Sequence, residues 1–254
     1  ADAVQATYKK QGNDYVLNGT LRYVIDGHTA DLLIVAARAE KSNGTNGISL
    51  FAVPASTLGI TRKWLPTMDQ TRHQAEILLD NVSVSTSALM GVEAQAWPQL
   101  QKIISLAKIS VAAEQMGGAQ EMLDKSVAFT QERVQFGRTI ASFQAIKHKA
   151  ADMMLKCEVA RSAVYYAACV AQEAMDANGD TAIAAELDEA AAMAKCYCSD
   201  TFFFNAGNAI QLYGGVGFTW EYDLHLYFKR AKASELFLGN GAQQRELIAQ
   251  MLLD

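Results

Sequence analysis

QLYGGVGFTWEYDLHLYFKRAKASELFLGN, residues 211–240, decides how this chain is read. Gly214, Gly215 and Gly217 interrupt residues of helical period on both sides. Glycine lets the backbone take positive φ and lets another group approach the amides closely. Such a run is either a bare turn between two helices or a cradle for a phosphate, and by itself it does not choose between them.

The helical period extends far to both sides. Four long segments can be drawn, at about 97–133, 142–178, 184–213 and 221–253, each too long for a strand. The breaks carry helix-stopping residues: Phe136-Gly137, Asn178-Gly179-Asp180 and Gly214-Gly215. The alanine-rich tract 182–194 is a strong helix former. Pro54, Pro66 and Pro98 are the only prolines, so none interrupts the helical sequence after residue 98. Before Pro98 the texture differs: short β-rich runs at 15–17, 32–37, 48–53, 75–79 and 82–84 alternate with turn signals, and NGTNG at 43–47 reads as a hairpin loop. The expected fold is α+β and multidomain. A small antiparallel β domain, residues 1–92, precedes a four-helix bundle, residues 93–254.

Composition narrows the function classes. A net charge of -5 and a pI near 5.4 provide no basic face for a phosphate backbone, so no nucleic-acid partner is expected. No apolar run approaches the roughly 20 residues that span a bilayer, and no charged-then-apolar leader pattern opens the chain. A cytoplasmic location with no membrane partner is expected. Cys157, Cys169, Cys196 and Cys198 lie in alanine-rich helical sequence and read as small buried hydrophobes with free thiols. An i,i+2 cysteine pair on a helix points to different sides, and His148 and His225 have no second histidine at ligand spacing, so no metal site is expected. The N-x-S/T triplets at Asn18, Asn43 and Asn81 read as turn chemistry, and Phe202-Phe203-Phe204 as core or subunit interface.

Three motifs taken together carry a family resemblance. R-x-x-F-G from Arg133, SFQAIKH at 142–148 and QLYGGVGF at 211–218, in this order on helical sequence, resemble the C-terminal helical domain of flavin-dependent acyl-CoA dehydrogenases. Residues 12–38 are similar to the opening of that family's middle β domain, and 75–91 to its end, so the resemblance covers nearly the whole chain. The family places an N-terminal helical domain and a glycine-rich loop, T-E-P-G-x-G-S-D, ahead of the segment matching 1–6. These 254 residues contain neither, as expected either of a fragment of a longer subunit or of a chain in which they are lost or left out.

The resemblance implies FAD held at a subunit interface, hence a homodimer or tetramer, with a heteromer as the alternative. By carry-over, Arg133 and Phe136 match positions reaching the adenosine and pyrophosphate of a neighbouring subunit's flavin. Gln211 and Gly215 match contacts from the other side, and Asn240 is a further cofactor position. A guanidinium suits pyrophosphate because its planar donors pair with phosphate oxygens. The family's tryptophan and threonine beside the flavin ring fall at Tyr23, which can still stack, and Ile25, which lacks the hydroxyl.

The implied reaction removes the α proton of an acyl-CoA thioester and passes the β hydrogen to the flavin, with an electron-transferring flavoprotein as oxidant. Its base is the difficulty. The usual glutamate position is Leu238, and the alternative one on the first long helix is Ala107. Glu114, two turns after Ala107 on the same helix face and roughly 10 Å along the axis, is the catalytic candidate. The competing reading pairs Glu114 with a lysine or arginine inside the bundle. Glu235 is a second candidate, with pairing to Lys232 as its ordinary alternative. Lys108 matches an arginine near the thioester and is the substrate-binding candidate. Two functions stay open: a dehydrogenase acting through Glu114, or a scaffold subunit that supplies flavin contacts while a partner brings the base. A related flavin oxidase is a more distant third.

Overall fold

The computed structural model describes residues 1, 3–176 and 178–253. It divides into two compact units, Ala1–Gln101 and Lys102–Asp254.

The first unit is a seven-stranded sheet. Its strands are β1 (Thr7–Gln11), β2 (Asp14–Ile25), β3 (Leu32–Ala39), β4 (Ile48–Pro54), β5 (Ile60–Leu65), β6 (Gln74–Ser85) and β7 (Leu89–Met90), in the order β5-β6-β2-β1-β3-β4-β7. Antiparallel pairing dominates, and the 43–47 run lies in the loop joining the antiparallel pair β3 and β4. One pair departs from the expectation. β1 and β3 run parallel through Thr7↔Arg38 and Tyr8↔Ala39. The cause is connectivity: β2 folds back on β1, the chain reverses again, and β3 then meets the free edge of β1 in the same direction.

The runs 75–79 and 82–84 belong to one strand, β6, rather than two. Asn81 sits at φ 50, its N–H donates to Asn18 Oδ1 at 2.8 Å, and the register shifts between Leu17 and Gly19 opposite it. This bulge flips the inward face and interrupts the alternation. β4 is buried along Ile48, Ser49, Leu50 and Phe51 because each face has a core. Phe51 and Val53 join Tyr8, Tyr15 and Ile77, while Ile48 and Leu50 pack with Ala96 and Trp97. Tyr8, Tyr15 and Phe51 meet edge-on or tilted at 5.2–5.7 Å.

The second unit is helical. α1 (Trp97–Glu132), whose first residues belong to the first unit, leads through a small hairpin, β8 (Val134–Gln135) and β9 (Arg138–Thr139), to α2 (Gln144–Met175). The segment read as 142–178 runs across Ala177, which lies outside the described residues. A one-turn helix α3 (Thr181–Ala184) precedes α4 (Leu187–Tyr213), then come α5 (Leu224–Leu236) and α6 (Gly241–Leu253). Asp180 caps α3, its carboxylate accepting from the N–H groups of Ala182 and Ile183.

α4 is the central helix, packed against α2, α5 and α6. Its alanines Ala190, Ala191 and Ala194 meet Ala160 and Ala167 of α2 in one core. Met122, Met153, Phe202 and Leu224 form another. Cys157, Cys196 and Cys198 are buried as expected, whereas Cys169 is exposed, since its helical position faces away from α4 and α1. The segment read as one helix over 221–253 is two. Leu238 at φ 60 and Gly239 at φ 96 turn the chain, and Asn240 starts α6 with a capping box. Its Oδ1 accepts from Gln243 N–H at 3.0 Å, and Gln243 Oε1 accepts from Asn240 N–H at 3.0 Å.

Candidate functional site

Two groups of side chains in the helical unit match the positions singled out by sequence. The first gathers around the ends of α1 and α4. Phe129 stacks on Tyr213 at 3.9 Å, Tyr222 packs edge-on against Tyr213 at 5.1 Å, and Tyr213 Oη donates to Lys125 O at 3.1 Å. This aromatic cluster ties the end of α1, which continues into Arg133, to the end of α4, which continues into the glycine run.

Beyond α1 the β8–β9 hairpin turns through Phe136 at φ 54 and Gly137 at φ 74. Two central residues at positive φ suit a tight two-residue hairpin, and phenylalanine is an unfavourable choice there. Phe136 is 91% exposed at the tip, its ring edge-on to Phe143 at a centroid distance of 6.1 Å, while Arg138 covers the Phe143 ring at 4.0 Å. Arg133 is exposed, and among the described residues no side chain pairs with its guanidinium. Gln211 is also exposed, on an open groove shared with Phe204 and Lys156.

The three glycines differ. Gly214 ends α4 at φ 64, and a Cβ on Gly217 would lie 2.8 Å from Ile210 O, so the fold itself requires both. A Cβ on Gly215 would meet nothing. A free guanidinium, an exposed aromatic ring and a glycine with open space before it fit a dinucleotide's pyrophosphate and adenosine. In the sheet unit, Tyr23 stands at φ 59 on a bulge of β2 and is 62% exposed, with its ring available for stacking.

The second group holds the candidate bases. Glu114 Oε1 accepts from Arg230 Nε at 2.7 Å, with both side chains half-buried, so α1 and α5 are tied as the competing reading described. This carboxylate is thus engaged inside the fold by a guanidinium. Glu235 pairs with Lys232 at 2.9 Å. Leu238 occupies the turn, Ala107 is partly exposed on α1, and Asn240 uses its Oδ1 to cap α6.

Lys108 next to Ala107 is buried, and burial lowers its pKa against the pull of Asp188, itself held by Ser105 Oγ at 2.6 Å. Among the described residues no hydrogen bond or close ion pair holds the Lys108 ammonium. A buried cation left this way is a candidate for an external acceptor.

Sequence reasoning missed Lys195. It is fully buried on α4, pushed down to about 8 by burial, and donates to Ser199 Oγ at 2.8 Å, Glu235 O at 3.1 Å and Gly239 O at 3.2 Å. The available signal was its flanking by Ala191, Ala192 and Ala194, a helix face too small and apolar to be solvent-facing.

Family models fit both parts of the chain. The acyl-CoA dehydrogenase middle domain matches residues 1–82, and the acyl-CoA dehydrogenase C-terminal domain matches 95–253. An acyl-CoA dehydrogenase of Bacillus subtilis is 31% identical across 100% of this chain and 65% of its own length. A short-chain-specific acyl-CoA dehydrogenase of Megasphaera elsdenii is 31% identical across 96% of this chain and 62% of its own. The chain thus spans less than two thirds of these relatives. Among solved structures, butyryl-CoA dehydrogenase from Megasphaera elsdenii superposes with a TM-score of 0.91 at 30% identity, covering 100% of this chain and 64% of that one. A chain in a structure described for the electron-transferring flavoprotein of Acidaminococcus fermentans gives 0.91 at 33% identity, covering 99% and 64%. With both models matched in order and the three sequence motifs on the elements they require, the chain belongs to the acyl-CoA dehydrogenase family, whose members carry FAD.

Proposed function

We propose that this chain binds FAD and takes part in α,β-dehydrogenation of an acyl-CoA thioester, passing electrons to an electron-transferring flavoprotein. It works as a cytoplasmic homodimer or tetramer, with residues 1–92 as its β domain and 93–254 as its helical domain. One observation carries the reading: Arg133, Phe136, Gln211 and Gly215 are exposed, and among the described residues no polar partner engages the side chains of Arg133 and Gln211. Two relatives' names fit the oxidant, the Acidaminococcus structure and a caffeyl-CoA reductase–Etf complex subunit of Acetobacterium woodii, 28% identical over 261 residues. No described helix is long and apolar enough to cross a membrane.

In this reading Arg133 and Phe136 reach the adenosine and pyrophosphate of a neighbouring subunit's flavin, and Gln211 and Gly215 contact the same dinucleotide from the other side. Tyr23 lies against the flavin ring, and Lys108 donates to the thioester carbonyl, where a cation favours the enolate-like charge that develops as the α proton leaves. Bound flavin supplies the acceptor for the β hydrogen. Anaerobic titration of the flavin-loaded protein with acyl-CoA thioesters, following loss of the oxidised flavin band, tests this directly. Bleaching supports it; a protein that retains no flavin at all overturns it.

A second reading is favoured by a specific observation. With leucine at 238, alanine at 107 and Glu114 held by Arg230, the α-proton acceptor belongs to a partner chain, and this chain is the scaffold half of a heteromer. Bleaching that Glu114→Gln abolishes would exclude the scaffold. Bleaching that appears only when a second subunit is added would establish it.

A further inference from the structure

The turn between α5 and α6 is held by buried side chains from other parts of the fold. Residues 236–240 include Leu238 at φ 60, a left-handed conformation that a leucine adopts only when its surroundings determine it. Two carbonyls of this segment, and that of Glu235 just before it, accept from two buried side chains. Lys195 Nζ on α4 donates to Glu235 O at 3.1 Å and Gly239 O at 3.2 Å. Gln244 Nε2 on α6 donates to Leu238 O at 2.9 Å. Lys195 is 0% exposed and Gln244 1%.

Lys195 is fixed from behind. Lys195 also donates to Ser199 Oγ, Ser199 Oγ donates to Gln115 Oε1 at 3.1 Å, and Gln115 Nε2 donates to Ser234 Oγ at 3.1 Å, all within the core. Gly239 completes the lock, since at φ 96 a Cβ there would come 2.5 Å from Gln244 Nε2. Placing an ammonium in this core costs desolvation. What the ammonium adds is three donors aimed at one hydroxyl and two carbonyls on either side of residue 238.

We propose that Lys195 and Gln244 are positioning residues that lock the 236–240 turn, presenting residue 238 to the acyl-CoA site in one fixed direction whatever its side chain. The connection to acyl-CoA rests on the proposed dehydrogenase function, whereas the lock itself does not. Lys195 touches no reacting atom; it acts through the backbone of the turn.

Hydrogen–deuterium exchange of the 236–240 amides in the flavin-free protein tests the lock. Lys195→Met is expected to raise exchange there at least tenfold, with α4 amides and the melting temperature near wild type. Gln244→Leu is expected to do the same at Leu238 and Gly239, and it carries the test if Lys195→Met fails to fold. Ser199→Ala, which leaves all three carbonyl bonds in place, is expected to leave the turn protected. Unchanged protection in Gln244→Leu and in a folded Lys195→Met overturns the proposal.

A second arm separates positioning from general loosening. In a flavin-loaded Leu238→Glu background, adding Lys195→Met is expected to lower the rate constant for thioester-driven bleaching at least tenfold at unchanged thioester affinity. An equal fall in affinity, or no fall in rate, overturns the positioning role. Failure to bind flavin would overturn the proposed function and leave the exchange test standing.

Discussion

Arg133, Phe136, Gln211 and Gly215 stand in solvent with no polar side-chain partner among the described residues, whereas Glu114, Lys195 and Asn240 are held by Arg230, by three oxygen acceptors and by Gln243. Both groups contain residue types that chemistry favours, and their surroundings separate them. Where the fold engages a polar group fully, the fold explains its presence. A guanidinium, an exposed ring at positive φ and a spare glycine have no such internal explanation among the described residues, and the proposed dinucleotide would supply one.

The largest test of the engaged group is titration of Lys195. Its folded pKa of about 8 lies below its ordinary 10.5, so between these values the unfolded chain holds a proton that the folded chain has released. Stability should therefore rise with pH across that window, by up to about 3 kcal/mol from this group alone at about 1.4 kcal/mol per unit. Subtracting the profile of Lys195→Met cancels opposing contributions from Cys198, pushed up to about 12, and from the buried tyrosines. Parallel profiles in denaturant unfolding would break this side of the comparison.

Arg133→Ala probes the other side. Loss of a charge-assisted pairing should weaken FAD binding by about 2 kcal/mol, roughly 30-fold, at unchanged melting temperature. A drop in melting with flavin affinity intact would place Arg133 among the engaged residues.

The two glycines make a matched pair. Gly239→Ala puts a Cβ against Gln244 at positive φ and should destabilise by about 1–3 kcal/mol, whereas Gly215→Ala should leave thermal unfolding alone and impair flavin binding. Equal melting temperatures for the two variants would contradict the distinction.

The smallest effect belongs to Glu114→Gln. Its pair with Arg230 is half-exposed, so about 1 kcal/mol, or about 2–4 °C in melting temperature, is expected. In the scaffold reading, bleaching supported by a partner chain should survive this substitution.

Local signals carried much of the fold. The 43–47 loop, the glycine breaks and the long helical periods each reflect backbone preferences within a few residues, and they fall where expected. The break at 237–240 was harder to see, because a lone glycine without proline is also compatible with a continuing helix and the capping box is formed only once the turn exists. The parallel pairing of β1 with β3 depends on a third strand and has no local signature.

The candidate site divides in the same way. Arg133, Phe136 and Gly215 were named only through the family resemblance, since an exposed arginine, an exposed ring and a glycine carry no local signal that marks a ligand. Glu114 remained ambiguous because its partner lies 116 residues away on another helix. Lys195 looked like one polar residue in an alanine tract, and only packing shows that both of its neighbouring faces are closed.

The carbonyl lock on the 236–240 turn also has an evolutionary consequence. The atoms that hold the turn belong to its backbone and to Lys195 and Gln244, while the chemistry open to it depends on the side chain of residue 238. Selection on folding and selection on catalysis therefore act on different atoms. If residue 238 is the acceptor position that the family resemblance implies, a proton acceptor could be exchanged for a leucine here while the helices on either side keep their places.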